Sequence, residues 1–239
     1  LFPYTTLFRS IRAEMEKCPM RSNRMAHFIT GALLMSLLCN PLSAESETAC
    51  PILPQPAGFK SLSGRVELSA ARSLVLCPGS DSSDRLAASE LNLWLTEMGL
   101  DSLIVLKYKN GMDTRGAVLV GPPQSGSPVL AALSKGESAP DGEAYILEAS
   151  GPNVIIVSNG PAGRFYGLMS LAQLLRAGGG RSIPACLIRD NPALGLRGIS
   201  DDISRGQISA LDDFRRLIRF MARYKMNLFM PYLEDMLRI

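Results

Sequence analysis

From Gly64 to about Asp190, short apolar runs alternate with two longer stretches of helical period. RVELS (65–69), SLVLC (73–77), SLIVLKY (102–108) and AVLVG (117–121) are β-rich runs closed by turn residues, and they predict strands. EAYILEAS and NVIIVSN flank Gly151-Pro152, which predicts a hairpin. IPACLIRD (183–190) predicts a further strand. Between Asp84 and Met98, residues Leu91, Trp94, Leu95 and Met98 share one helical face, and Gly99 follows as a C-cap glycine. A second helix is predicted over 162–176 from Phe165, Leu168, Ala172 and Leu175, and Gly178-Gly179-Gly180 ends it. GPPQSGS is a loop, followed by a short helix candidate at 128–133. The Pro- and Ser-rich stretch 45–63 reads as an extended lead-in. These elements predict an α+β domain over 45–190, a mixed sheet with helices on one face.

Asn191-Pro192 marks a boundary, and the pattern then changes. LRGISDDISRG starts apolar and ends in Asp201, Asp202 and Arg205. A helix follows over 211–224, with Phe214, Leu217, Ile218 and Met221 on one stripe. Asp212 and Asp213 stand at its positive end and Arg223 and Lys225 at its negative end, as the helix dipole favours. Its arginines read as a solvated exterior. YKMNLFMPYLED repeats the first pattern and ends in Glu234 and Asp235. Strand, helix, strand with polar residues at the carboxyl ends is how a (β/α)8 TIM barrel begins. Residues 191–239 are therefore expected to be an incomplete barrel domain, the chain a fragment, and the bond-breaking residues to lie beyond Ile239.

Composition changes this picture mainly at the amino end. Arg21 and Arg24, the apolar run Phe28–Leu38 and the small-residue site Leu42-Ser43-Ala44 occur in the order of a secretory signal over 20–44. A short membrane anchor is the alternative; the run is too short to span a bilayer. Residues 1–19 precede any sensible start for that signal, and LFPYTTLFRS resembles translated sequencing-adapter sequence, so they are read as a non-native leader. The expected product is exported, periplasmic or extracellular, with no stable membrane span after cleavage.

Residues 1–44 carry five of the 25 basic and two of the 22 acidic side chains, which leaves 20 against 20. The basic balance thus belongs to the leader and gives no support to nucleic-acid binding. The only histidine, His27, also lies there, so Ser-His-Asp chemistry and His-rich zinc sites are excluded from 45–239. Cys50, Cys77 and Cys186 match no metal spacing. They allow one disulfide and one thiol, or three buried thiols acting as small apolar residues. No cofactor or metal is implied.

GRFYGLMSLAQLL resembles the helix signature of the small domain that precedes the catalytic barrel in glycoside hydrolase family 20, the β-N-acetylhexosaminidases. LRGISDDISRG resembles that family's first barrel strand, with its Arg-Gly start and Asp-x-Ser-Arg end, and YKMNLFMPYLED the second, with its Lys-x-Asn. Together these cover most of 143–239. Met230-Pro231-Tyr232 stands where the family usually has histidine and tryptophan, which marks a divergent branch. Similar small domains precede other glycosidase barrels, such as α-glucuronidases and family 84 hexosaminidases.

The resemblance implies removal of terminal N-acetylhexosamine from a glycan or amino-sugar substrate. The substrate's 2-acetamido oxygen acts as nucleophile, one carboxylate orients it, and a neighbouring glutamic acid protonates the leaving oxygen. That Asp-Glu pair belongs to the fourth barrel strand, so no catalytic residue is expected here and the fragment alone is expected to be inactive. Four residues are implied in substrate binding: Arg205, Asp202, Glu234 and Asp235. Arg205 matches the arginine that holds sugar hydroxyls, and its alternative role is an ion pair with Asp202 or Glu234. Asp202 matches the aspartate of Asp-x-Ser-Arg and is read as an orienting group. Without a gap Asp235 falls on the first residue of the family's closing Asp-Asp; with a shift of one, Glu234-Asp235 matches the pair. Tyr232 is read as a barrel-core tyrosine, with stacking on a sugar face as its alternative, and Arg197 as structural. The competing reading of 45–190 is a carbohydrate-binding or purely structural accessory domain.

Overall fold

The structure, a computed structural model, describes residues 50–123, 142–204 and 209–233. Among them, seven strands form one sheet: β1 (Gly58–Glu67), β2 (Ser73–Leu76), β3 (Ile104–Lys107), β4 (Val118–Gly121), β5 (Tyr145–Ser150), β6 (Asn153–Val157) and β7 (Ser182–Asp190), in the order β1-β7-β5-β6-β4-β2-β3. β6, β4, β2 and β3 run parallel, whereas β1, β7, β5 and β6 are antiparallel neighbours, so the sheet is mixed. The predicted hairpin is β5–β6, closed by Ser150 opposite Asn153.

Alternation along the central strands divides the core in two. Leu74, Leu76, Val118, Val120, Leu147 and Ile156 face the helices α1 (Ser82–Glu97) and α2 (Pro161–Ala177). Val75, Cys77, Leu119 and Val157 face the other way, under Tyr108 and Met112. Among the described residues, both helices packed on this sheet thus lie on one face. The first strand differs from expectation: β1 begins at Gly58, inside the predicted lead-in. Its partner explains this, because an edge strand's backbone pairs with β7 whatever its side chains, with a register break between Ser61 and Arg65. The helix candidate at 128–133 lies outside the described residues.

α1 starts at a capping box: Asp81 accepts from the backbone of Ser83 and Asp84, and Asp84 accepts from that of Asp81. α2 is buried nearly all round, far beyond the single predicted stripe, because the sheet lies on one side and α1 on another. Its sequence GRFYG is written by this packing. A Cβ on Gly163 would sit 2.1 Å from the carbonyl oxygen of Ala144, and one on Gly167 would sit 2.5 Å from Ile156, so glycine lets the helix lie directly on the hairpin. Arg164 donates from Nε to Asp84 Oδ1 at 2.6 Å and from Nη2 to Asp84 Oδ2 at 3.1 Å, which ties α2 to the start of α1.

Downstream, β8 (Gly198–Asp202), α3 (Leu211–Arg223) and β9 (Leu228–Tyr232) form a strand-helix-strand unit with β8 and β9 parallel. α3 does not lie free on a solvated exterior. Arg223 is buried, reaching Glu90 at 2.8 Å and Glu97 of α1, with its guanidinium 5.3 Å from the Trp94 ring. Tyr224 meets the same ring edge-on at 6.0 Å. The other arginines behave as predicted: Arg215 and Arg216 are exposed and paired with Asp212 and Asp213 one turn away, and Arg219 is exposed beside Glu90 at 3.5 Å. Of the predicted stripe, Met221 is buried, Phe214 and Leu217 are half-buried, and Ile218 is exposed.

Candidate functional site

Parallel strands one residue in register place partner side chains on the same face, and successive residues alternate faces. β8 and β9 pair Gly198 with Leu228, Ser200 with Met230 and Asp202 with Tyr232. Phe229 packs edge-to-face on Phe214 of α3, so Ile199, Asp201, Phe229 and Pro231 face the helix. Ser200, Asp202, Met230 and Tyr232 face away from it and are exposed, Tyr232 by 52%. Of the two sequential aspartates, Asp202 therefore stands on the open face and Asp201 does not.

Asp202 is held in place. Its Oδ1 accepts from the backbone N–H of Ser204 at 3.0 Å and from the Ser204 hydroxyl, an Asx turn that closes the strand. The Ile203 N–H donates to the Tyr232 carbonyl at 3.2 Å, which extends the pairing one step past β8. A fixed carboxylate beside a half-exposed aromatic ring suits a polyhydroxylated ligand: the oxygen accepts from hydroxyls and the ring covers a C–H face. Arg205, Glu234 and Asp235, the other residues predicted here, lie outside the described residues.

The amino ends of the same strands carry a second polar cluster. Glu143 Oε2 accepts from Arg197 Nη2 at 2.8 Å, and its Oε1 accepts from Asn227 Nδ2 at 3.0 Å and from the Tyr166 hydroxyl at 3.3 Å. Arg197 also donates from Nε to the Lys225 carbonyl at 2.7 Å. Lys225 is buried, donating to Asp190 Oδ2 at 2.7 Å and to the Tyr145 hydroxyl at 3.0 Å, which in turn bonds Ser170 Oγ at 2.6 Å. A cavity of about 260 Å3 lies against Glu143, Tyr166, Asp190, Leu194, Arg197 and Lys225. Glu143, Tyr166 and Arg197 on its wall are bonded to one another, as are Asp190 and Lys225, and it sits at the opposite end of the strands from Asp202.

Burial and pairing shift the ionisable groups at this end. Burial pushes the Glu143 carboxyl up, but the Arg197 and Asn227 hydrogen bonds and the Arg197 charge outweigh it, and its pKa falls below the ordinary 4.5. Burial lowers the Lys225 ammonium from 10.5, and its bond and charge contact with Asp190 recover part of the shift. Burial, reinforced by the Asp190 charge, raises the Tyr145 phenol well above 10. Arg197, read as structural from sequence, is bonded to Glu143 and to the backbone carbonyls of Lys225 and Leu194. The parts played by Glu143, Asp190 and Tyr145 escaped that reading. The signal available was indirect: Arg197, Lys225 and Asn227 precede apolar strands, where polar groups need buried partners.

Cys50, Cys77 and Cys186 are thiols among the described residues, Cys77 and Cys186 buried and Cys50 half-buried. Burial pushes Cys186 up to about 12.

The family model for glycosyl hydrolase family 20, domain 2, matches residues 49–191. The β-hexosaminidase of Vibrio vulnificus is 38% identical over 111 residues, covering 46% of this chain and 13% of that protein. The solved GH20 exo-β-N-acetylglucosaminidase of Vibrio harveyi, in complex with N-acetylglucosamine, is similar with a TM-score of 0.60 at 21% identity, over 78% of this chain and 26% of that one. The solved structure of CpGH84D is similar with a TM-score of 0.62 at 18% identity, over 77% of this chain and 30% of that one. At these identities the two structural likenesses speak for the fold. The chain spans less than a third of the length of each of these three proteins.

Proposed function

Because the chain belongs to glycosyl hydrolase family 20, through that family's domain 2, we propose that it is the N-terminal part of an exported enzyme that removes terminal N-acetylhexosamine residues. In this reading β8, α3 and β9 are the first strand, helix and second strand of a catalytic (β/α)8 barrel, and 20–44 is the export signal. The observation that carries it is the open face of β8 and β9. Asp202 and Tyr232 stand side by side at the carboxyl ends of two parallel strands, with the helix on the far face, where a barrel presents its binding groups.

Asp202, Arg205, Glu234 and Asp235 position the terminal sugar. The orienting carboxylate and the glutamic acid that protonates the leaving oxygen are supplied from beyond Ile239, and the substrate's own acetamido oxygen is the nucleophile. The alternative is an accessory domain of another glycosidase, of α-glucuronidase or family 84 type. A solved structure named for family 84 shares the fold, and the family match over 49–191 favours the first reading.

The test is turnover of chromogenic N-acetylglucosaminide, glucoside and glucuronide by the complete protein. N-acetylglucosaminide should be preferred. A charged hydrogen bond to a sugar hydroxyl is worth about 1.5–3 kcal/mol, so Arg205→Ala should lower kcat/KM by about tenfold or more with the melting temperature unchanged. Turnover of the glucuronide alone would move the protein to the alternative.

A further inference from the structure

We infer that Glu143 is a positioning residue: its one carboxylate clamps the starts of β8 and β9 together, sets their register, and thereby keeps Asp202 and Tyr232 on the same open face. The part about sugar binding rests on the function proposed above; the part about register does not.

A parallel pair of five-residue strands is a weak specification. β8 pairs only with β9 among the described residues, and parallel pairing is the less stable kind. The side-chain period is two, so a slip of one residue turns a strand's faces over. Slipping β8 against β9 would set Asp201, not Asp202, beside Tyr232 on the open face. Something must fix the register, and the amino ends show what does. Arg197 and Asn227 immediately precede the two strands. The Asn227 N–H donates to the Arg197 carbonyl at 2.7 Å, and the Arg197 N–H donates to Asn227 Oδ1 at 2.9 Å. These two residues form the first rung of the ladder, and Glu143 holds both, one carboxylate oxygen to each.

The clamp is anchored and selective. Glu143 lies two residues before β5 in the seven-stranded sheet, beneath Tyr166 of α2, so the rung is fixed to a rigid body. The Asn227 amide cannot turn over to suit a changed partner, because its Oδ1 is taken by Arg197 and its Nδ2 also donates to the Gly195 carbonyl at 2.9 Å. Glutamine at 143 therefore keeps the bond to Arg197 but presents an amide to an amide at Asn227. Beside it, Lys225, in the left-handed region at φ 63°, is pinned by Asp190 and Tyr145, which fixes where the chain turns from α3 into β9.

The test compares wild type, Glu143→Gln and Glu143→Ala in the complete protein. Hydrogen exchange is followed in peptides 198–204 and 228–233, with 117–121 of β4 as the internal reference, and KM and kcat are measured on a chromogenic N-acetylglucosaminide. Glu143→Ala should speed exchange in both strand peptides by about tenfold and leave the reference unchanged. It should raise KM about fivefold or more while kcat changes less than about twofold, with Glu143→Gln between the two. Unchanged exchange in the strand peptides would overturn the clamp, and faster exchange with unchanged KM would overturn the positioning role. A wild-type protein inactive on N-acetylhexosaminides would sink the proposed activity, while the exchange measurement still decides the clamp. Exchange rising equally in the reference peptide would show Glu143 to be a general stability residue and would also overturn the proposal.

Discussion

At the scale of single residues, most of the chain's recognisable sequence turns out to be packing chemistry. GRFYG looks like a functional motif, yet each member has a structural job. Gly163 and Gly167 admit the helix to the hairpin, and Arg164 bridges to Asp84 with both partners buried. Removing one partner of such a pair strands the other charge away from water. Arg164→Ala is expected to cost about 3–5 kcal/mol, read by urea unfolding of the 239-residue chain. Arg164→Lys keeps the charge, loses the two-pronged fit, and should fall between. A cost below about 1 kcal/mol for Arg164→Ala would mean that Asp84 is satisfied without it. Asp202 could be picked from sequence, but its separation from Asp201 needed the register, because only the pairing with Tyr232 says which face it takes.

At the scale of elements, the strands and helices were legible because their periods are clean. β2 and β4 are uniformly buried runs and α1 carries its stripe and its cap. β1 was read short because an edge strand is fixed by its neighbour's backbone. In α3 the solvated reading holds at Arg215, Arg216 and Arg219 and fails at Arg223, for a related reason. Its arginines look solvated in isolation, and only the neighbouring α1 shows that Arg223 is buried against Glu90 and Glu97. The docking of α3 should depend on acid. The Arg223 hydrogen bond and charge lower Glu97, and Glu143 is likewise lowered, both from 4.5. A carboxylate whose folded pKa is depressed contributes stability above its unfolded value, and that contribution is lost as pH falls through the folded one. Trp94, the sole tryptophan of the chain, sits in this contact. Its emission should shift to the red as pH falls below about 4.5, before far-ultraviolet circular dichroism reports loss of the seven-stranded sheet. A single shared transition for both signals would contradict separate undocking.

At the scale of the whole molecule, the two ends of β8 and β9 divide the work. The amino ends are fastened to the seven-stranded sheet through Glu143, Asp190 and Tyr145, and the charged groups on the wall of their cavity are paired, Glu143 with Arg197 and Asp190 with Lys225. The carboxyl ends present Asp202, Met230 and Tyr232 on an open face. Sequence reasoning singled out the second end by its charged residues and did not see the first, because Glu143 precedes Arg197 by 54 positions and only the fold brings them together. The most direct test of this division is hydrogen exchange of the complete protein with and without N-acetylglucosamine. The account predicts protection confined, within this part of the chain, to peptides 199–204 and 228–233, with 143–150 and 186–190 unchanged. Protection at 143–150 and 186–190, with none at the carboxyl ends of β8 and β9, would place the sugar in the cavity beside Glu143 and Lys225 and contradict it.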